Sequence, residues 1–454
     1  MHQSDSQALP VCIIGAGLTG LTAAWRLVGA GYRVVLLEST LQAGGMVTSF
    51  TLGNQSIEYI YHHIFTSDHH FLDLCREMDL EDQINWYQTR DAIYADGQLY
   101  PFSGPVDLLR FPLFPFLQRI RTGLTVLRAG RLKNWRDLES QTAADWLRRH
   151  GGDQSYQKLW QPLLRSKFDR DADKVSAVWI WNKFKLRGHS RRHVAARSSL
   201  GYMTGGFSRL IQALQNRIEQ HKGQILFGHT AVSIDADHTN GRPRYQITCI
   251  RDDCSTRTIT AGAVIATISG RQFASMASPL SLPDAYLRKA RATRYKADLC
   301  LIIRLNNSLS PYYWTTICDD LPFVVAVEHT RLNRSLEYGG SVIYLSRYLD
   351  VADPLWTQSD GVIYRLFTEA LGRVYPDFSI HHVTGWRLCR TRYAQPVISC
   401  GYSETMPEMN TPDPGIKLAG MAQIYPEDRG MNYAIRLGRE AADTVSGWLA
   451  SQEK

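Results

Sequence analysis

The sequence predicts an α/β fold: a parallel-sheet domain of Rossmann type that opens the chain, with α+β stretches beside it. Three observations lead there. Within the first 40 residues a strand pattern, a glycine-rich turn, a helix pattern and a second strand pattern follow one another. Short β-branched runs of the same kind return far downstream, near residues 224–234, 263–267 and 415–420. Between these runs lie a Trp- and Arg-rich stretch with helical spacing and a stretch that alternates like strands. The chain has 454 residues, 44% of them apolar and 21% charged. That is length for two or three domains of about 150 residues, and it excludes disordered, collagenous and coiled-coil classes.

The opening unit is the most specific part. Val11-Cys12-Ile13-Ile14 is a strand and Gly15-Ala16-Gly17-Leu18-Thr19-Gly20 is the turn. Leu18, Leu21, Trp25 and Val28 then recur at helical spacing until Gly29 and Gly31 stop the helix. Arg33-Val34-Val35-Leu36-Leu37 is the second strand and ends at Glu38. In a Rossmann-type unit each residue has a task. Gly15 allows the tight turn, Gly17 lets backbone approach a pyrophosphate, and Gly20 lets helix and strand pack closely. The helix start at Leu18 and Thr19 offers N–H groups and a positive dipole end to the phosphates. Glu38, with Ser39 beside it, stands 18 residues after Gly20, where an acid accepts ribose hydroxyls. Strand, helix, strand and terminal acid together read as a dinucleotide site.

After Glu38 the chain runs through Gly44-Gly45 into Met46-Val47-Thr48-Ser49-Phe50. An acid followed closely by Gly-Gly resembles the FAD fingerprint of the flavin amine oxidase superfamily, which includes protoporphyrinogen oxidases and phytoene desaturases. Further stretches match that family in order. Gly205-Gly206-Phe207-Ser208-Arg209-Leu210, then 224–227 and Ala231-Val232-Ser233-Ile234, resemble the segment whose backbone near Val232 meets the adenine side. Ala263-Val264-Ile265-Ala266-Thr267 resembles the returning strand, and Gly415-Ile416-Lys417-Leu418-Ala419-Gly420 the final one. Gly430-Met431-Asn432, with the helix after it, resembles the segment whose N-terminus faces the flavin ring and ribityl chain.

The resemblance therefore implies FAD as cofactor. It adds Gly44, Gly45, Met46, Val232, Thr267, Gly420, Gly430, Met431 and Asn432 to the contacts of the first unit. No second GxGxxG appears, so no nicotinamide domain is expected, and a partner, a diffusible acceptor or dioxygen completes any redox cycle. Family assembly implies an FAD-binding domain of residues 1–85, 200–270 and 385–454, and a substrate or cap domain of 86–199 and 271–384. Some positions depart from the pattern. Met46 stands where amine oxidases have Arg, and Ile60 replaces the flavin-abutting Gly in Glu58-Tyr59-Ile60-Tyr61-His62. The strand at 299–303 has no lysine, and Lys296 sits just before it. A simple amine oxidase is the least favoured relative.

Candidate chemistry lies at two places. Residues 62–70 hold His62, His63, His69, His70 and Asp68. Adjacent pairs point in different directions and no second cluster completes a shell, so no metal site is expected. The resemblance puts His62 or His63 near the flavin ring, where an imidazole can move protons around neutral pH. A histidine filling the domain boundary is the alternative. Tyr425 and Arg429, just ahead of Gly430, are the other catalytic candidates.

Charge is uneven. Residues 101–200 carry 20 Lys and Arg against 8 Asp and Glu, whereas the rest of the chain carries 31 against 35. Large apolar residues at 111–117 lead into a basic helix pattern with Arg119, Arg121, Arg128, Arg131 and Lys133. Peripheral contact of 111–133 with an anionic membrane, a tunnel mouth for a long apolar or phosphorylated substrate, and a solvated cationic face all remain open. Nucleic acid is excluded as a partner, since no binding motif accompanies the charge. Eight cysteines without a CxxC pair suit a reduced setting. The longest uncharged run, residues 6–25, is interrupted by Gly15, Gly17 and Gly20 and is not read as a membrane span. The expected location is cytoplasmic, with a peripheral position at the inner membrane face.

The expected function is that of an FAD-dependent oxidoreductase (oxidase, dehydrogenase or desaturase type). It would take a hydride from a medium-to-large substrate of apolar or lipid-linked character. A non-redox flavoenzyme similar to the sugar-nucleotide mutases and a non-catalytic FAD-binding escort protein are the alternatives.

Overall fold

A computed structural model describes residues 9–189, 199–238, 243–334 and 336–452; residues 6–8 of the uncharged run lie outside them. The chain opens with β1 (Val11–Ile14), α1 (Leu18–Gly29) and β2 (Val34–Leu37), then a hairpin of β3 (Ser49–Leu52) and β4 (Gln55–Glu58). Next come α2 (His69–Glu77), α3 (Pro105–Arg110), α4 (Phe116–Arg131) and α5 (Gln161–Phe168). The later elements used below are β5 (Gln224–Leu226), β6 (His229–Asp237), β7 (Ala263–Ala266), β8 (Tyr295–Leu305), β9 (Ser341–Leu349), β10 (Val383–Pro396), β11 (Ile416–Leu418) and α6 (Met431–Ser451).

β5, β2, β1, β7 and β11 form a parallel five-stranded sheet in that order. Counted along the chain the order is 3-2-1-4-5, so the sheet reverses direction between β1 and β7. β1 and β7 are buried throughout, which is why both read as unbroken apolar runs rather than alternating ones. Val11 and Ile13 pack toward α1 and α6, while Cys12 and Ile14 pack toward a three-stranded antiparallel layer of β6, Arg244–Arg251 and Thr256–Ala261. α6 lies tightly on α1 through Gly438, where an added Cβ would stand 2.4 Å from the Thr19 carbonyl oxygen.

The inserted unit is built on a seven-stranded sheet in the order β10, β8, β9, Val325–Glu328, Trp314–Ile317, Asp91–Ala95, Gln98–Pro101. All pairs are antiparallel except Trp314–Ile317 against Asp91–Ala95. Strands from both 86–199 and 271–384 therefore share one sheet. β10 pairs with β8 from Tyr295 to Leu305, so the start of the 385–454 segment also belongs to this sheet. One face of β8 (Leu299, Leu301, Ile303) packs on the helix Asp360–Val374. The other face, through Cys300 and Ile302, joins the core of the parallel-sheet unit. Helices of 105–189 form a separate apolar cluster above it. Among the described residues no helix is long and apolar enough to cross a membrane.

Candidate functional site

Ligands of open α/β sheets bind at the carboxyl ends of the strands where the order reverses, here beyond Ile14 and Ala266. The glycine loop occupies that place. Gly15 has φ +104°, and a Cβ there would stand 2.7 Å from Thr267 Oγ1. On Gly20 a Cβ would stand 2.0 Å from the Gly15 carbonyl oxygen. Gly17 is different. Its φ is −70°, and the nearest atom to an added Cβ is Gly45 Cα at 3.8 Å, so its bare backbone leaves room rather than relieving a clash. The first intrahelical bond of α1 runs from Leu21 N–H to the Gly17 carbonyl, which leaves the N–H groups of Leu18, Thr19 and Gly20 for a ligand.

Glu38 is held at the end of β2 by the N–H groups of Ala16 and Thr40, both at 2.9 Å. A carboxylate so held keeps lone pairs for ribose hydroxyls. The Ser39 hydroxyl donates back to Glu38. Gly44 N–H donates to the Ala16 carbonyl at 2.8 Å, which sets Gly45 against Gly17, and Met46 follows half-buried. Val232 sits at a bulge of β6. The register skips from Ala231 to Ser233 and leaves the Val232 backbone outside the ladder, free for an adenine edge. Thr267 and Gly420 act on the protein itself. The Thr267 hydroxyl donates to the carbonyls of Ile14 and Gly15, at 2.9 and 3.0 Å, and clasps the loop. A Cβ on Gly420 would stand 2.3 Å from the Ile268 carbonyl oxygen.

Gly430 caps α6, and nothing lies within 4 Å of a Cβ added to it. Every polar residue just ahead of it is tied down. The Tyr425 hydroxyl donates to Glu139 at 2.9 Å, Glu427 pairs with Arg436 at 2.9 Å, and Asp428 pairs with Lys183 at 2.5 Å. Arg429 donates to Gln395 at 3.0 Å and to the Tyr348 hydroxyl at 2.7 Å. Burial alone would raise Asp428, but Lys183 and Arg429 override it and hold the carboxyl at about 2. Met431 and Asn432 are buried, and Asn432 Oδ1 accepts from Phe71 N–H at 3.1 Å. These two offer the backbone of a helix start, with their side chains spent on packing. The groove thus fits FAD: open backbone at Gly17 and Gly430, unspent donors at two helix starts, and a ribose acceptor at Glu38.

The paired histidines separate. Glu58, fully buried, accepts from Phe207 N–H and the Tyr202 hydroxyl, both at 2.8 Å, and burial raises it to about 7 against those bonds. It anchors the hairpin from which Tyr61 and His62 reach the Arg429 side. His62 Nδ1 lies 2.7 Å from the Ile60 carbonyl, which places the proton on Nδ1 and leaves Nε2 as an acceptor. Burial, with Arg429 adding to it, lowers His62 to about 4, so the ring is neutral at pH 7. His63 is embedded among Phe65, Tyr313 and Trp314, with Nδ1 3.0 Å from the Tyr313 hydroxyl. His69 and His70 begin α2, and among the described residues no three His, Cys, Asp or Glu converge as metal ligands.

Sequence reading missed Lys167. It projects from the last turn of α5, with Nζ 3.3 Å from the Tyr61 hydroxyl and 4.2 Å from the centre of the Tyr348 ring. Asp298 on β8 acts on the same place. Its Oδ1 accepts from the Ser346 hydroxyl at 2.6 Å, and its buried Oδ2 has no partner. Burial, together with Arg429 and Lys183, pulls Lys167 well below the ordinary lysine range, and burial raises Asp298. His62, Lys167 and Arg429 are half-buried, and desolvation is the main cause that lowers His62 and Lys167. No spacing rule relates Lys167 to Tyr61, 106 positions away. The lysine beside the strand, Lys296, is fully buried on Asp171 at 2.9 Å and Asp350 at 2.7 Å.

The basic segment is built inside out. Phe111 and Phe114 are buried in the cap core, so they leave the surface the sequence reading gave them. α4 buries Thr122, Thr125 and Ala129 and exposes Phe116, Leu117, Leu124 and Leu127, with Leu117 78% exposed. Val106 and Leu109 of α3 are exposed as well. Between Asp107 and Asp137 lie seven Lys and Arg and no acid.

The sequence profile described as flavin containing amine oxidoreductase matches residues 18–446. Zeta-carotene desaturase from Synechocystis sp. is 25% identical over 283 residues, 56% of each chain; the chain spans about half the length of the curated relative it matches. Cyclohexylamine oxidase from Brevibacterium oxydans IH-35A shares the fold with a TM-score of 0.74 at 16% identity, over 98% of this chain and 100% of that one. Reduced UDP-galactopyranose mutase does so with a TM-score of 0.73 at 18% identity, over 97% and 96%. The α/β architecture is theirs, and with the profile running along nearly its whole length the chain belongs to the flavin-containing amine oxidoreductase family, with FAD as its cofactor.

Proposed function

We propose that the protein is an FAD-dependent oxidoreductase of oxidase, dehydrogenase or desaturase type, acting on a medium-to-large small molecule of apolar or lipid-linked character. The observation that carries the reading is that Gly430, open at the start of α6, directly follows Arg429, whose charge acts on both His62 and Lys167. When bound, FAD supplies the hydride-accepting ring. The chain supplies the rest. Gly15, Gly17, Leu18, Thr19 and Gly20 seat the diphosphate, and Glu38 takes the ribose. Gly44, Gly45 and Met46 wall the groove, Val232 meets the adenine, and Gly430, Met431 and Asn432 present the α6 start to the ring. His62 and Arg429 orient and polarise substrate. Tyr425 and His63 serve the cap and the domain boundary, with the Tyr425 hydroxyl on Glu139 and the His63 Nδ1 on the Tyr313 hydroxyl.

Residues 1–85, 200–270 and 385–454 are taken as the flavin unit and 86–199 with 271–384 as the substrate unit, 385–396 being shared through β10. The exposed apolar face of α3 and α4, with seven cations and no acid between Asp107 and Asp137, supports a peripheral seat on anionic lipid at a cytoplasmic membrane face. The eight free cysteines support a reduced compartment.

The test is anaerobic bleaching of the yellow holoprotein by fractions of a small-molecule and lipid extract. Stoichiometric bleaching without added reductant is expected. Turnover only after dithionite, with no net redox change, would replace this reading by the mutase one. Silence toward every fraction would replace it by the escort one.

A further inference from the structure

We propose that Lys167 is a catalytic base, and that the group it deprotonates is a hydroxyl on the substrate carbon that is oxidised. The proposal deepens the oxidoreductase reading and rests on it.

Elements from both units converge on this lysine. Tyr61 comes from beyond β4, Asp298 from β8, Tyr348 from β9, Asp428 and Arg429 from the loop before α6, and Lys183 from the helix Ala177–His189. Burying an ammonium is costly unless a carboxylate accompanies it. The neighbouring lysines obey that rule: Lys296 has Asp171 and Asp350, and Lys183 has Asp428. Lys167 makes no ion pair among the described residues, and its hydrogen-bond partner is a tyrosine hydroxyl. Arg429 and Lys183 repel a charge on it, while Asp428 is already spent on Lys183 and Gln395. An amine in that field holds a lone pair at neutral pH and takes up a proton readily. His62 is the other nitrogen base at the site, but its protonation only near pH 4 makes it a far weaker acceptor.

The same charges select the substrate. Asp428 is spent on Lys183, so Arg429 and any charge on Lys167 oppose a substrate ammonium, and Asp298 is the one carboxyl left among the described residues to attract it. A pure hydrocarbon would leave Asp298 Oδ2 buried without a partner and Lys167 with the Tyr61 hydroxyl alone, which is unfavourable for buried polar groups. A hydroxyl satisfies the amine as donor and accepts from Arg429, whose guanidinium has N–H groups beyond those given to Gln395 and Tyr348. In the reaction the O–H bond breaks and its proton goes to Lys167 Nζ. The C–H bond breaks and its hydrogen leaves with the electron pair as hydride, for which FAD, held by the glycine loop and the α6 start, would supply the acceptor. The carbinol carbon is oxidised to a carbonyl.

The test uses the FAD-loaded full chain. Reductive methylation with carbon-13 formaldehyde reports the titration of each lysine by NMR. One resonance is expected with a midpoint at least two units below the ordinary value of about 10.4, absent from Lys167→Met. In Asp298→Asn that midpoint moves lower still, because a nearby anion is lost. Lys167→Arg keeps the cation without a proton-accepting nitrogen. It is expected to bind FAD normally yet slow bleaching by the active extract fraction by about 100-fold or more. The wild-type product is expected to react with dinitrophenylhydrazine. A Lys167 midpoint above 9, or full bleaching speed in Lys167→Arg, overturns the base; an oxidised product without a carbonyl overturns the hydroxyl. If no fraction bleaches the protein, the oxidoreductase reading falls, while the lysine titration still decides whether the base exists.

Discussion

Gly17 and Gly20 belong to one six-residue loop, yet replacing each by alanine should have opposite consequences. A Cβ on Gly20 meets the Gly15 carbonyl oxygen at 2.0 Å, about 1 Å inside the closest contact such atoms tolerate. Backbone stands on both sides, so helix and strand must part, and overpacking of that kind costs about 1–3 kcal/mol or more. A Cβ on Gly17 meets only Gly45 Cα at 3.8 Å, and the φ of −70° suits alanine. Exchanging glycine for alanine at an N-cap costs about 1 kcal/mol or less. The space it fills, however, is where the diphosphate must meet the helix start. Losing one or two charge-assisted bonds there, each worth about 1.5–3 kcal/mol, weakens FAD binding by about 10-fold to about 20,000-fold. Urea unfolding of the apoprotein and quenching of FAD fluorescence on titration separate the two effects. Gly17→Ala should unfold like the parent but bind FAD poorly, whereas Gly20→Ala should lose stability before any cofactor is added. Parent-like FAD affinity in Gly17→Ala would refute the placement of the diphosphate.

Other perturbations probe other parts. Glu58 titrates near 7 in the fold, above the 4.5 of a free glutamate, so its stabilising share is full below about 4.5 and lost as pH rises through 7. Urea midpoints at pH 5 and pH 7.5 should therefore converge in Glu58→Gln; an unchanged slope assigns the effect elsewhere. His329, buried against the Tyr338 hydroxyl, is lowered to about 3 by burial. Its share is full above 6.5 and lost as pH falls toward 3, so His329→Gln should flatten the acid limb of a stability–pH profile. Tyr425→Phe removes one bond to Glu139 and should cost about 1 kcal/mol with bleaching kinetics unchanged; a large kinetic defect returns Tyr425 to the site. Leu117→Asp with Leu124→Asp alters only exposed side chains, so the thermal midpoint should hold within about 0.5 kcal/mol of stability. Flotation with anionic liposomes should disappear. Flotation by the double variant would remove α4 from the membrane face.

The legible parts of this protein were local. The GxGxxG turn, its helix and Glu38 lie within 38 residues, and their contacts follow from one crossover unit whose geometry short-range rules specify. The parallel strand at 263 was legible because both-face burial leaves an unbroken apolar run, and those at 224 and 416 through their likeness to the family's segments. His62 and Arg429 became candidates through their neighbours in the chain. Tyr425 and His63 were given catalytic roles for the same reason, but a side chain's direction depends on what packs against it, and Glu139 and Tyr313 come from distant elements. The inverted helix α4 shows the same limit: apolar spacing reveals that a face exists, and only packing shows which face turned inward.

Sequence alone determined the α/β class and the strand, glycine loop and helix of the dinucleotide unit, because strand, turn and helix propensities act between near neighbours. The meeting of Lys167, Asp298, Arg429 and His62 was decided by tertiary structure. Residues more than a hundred positions apart are brought together by the docking of cap helix on sheet, and the desolvation that alters their chemistry exists only once that docking has expelled water.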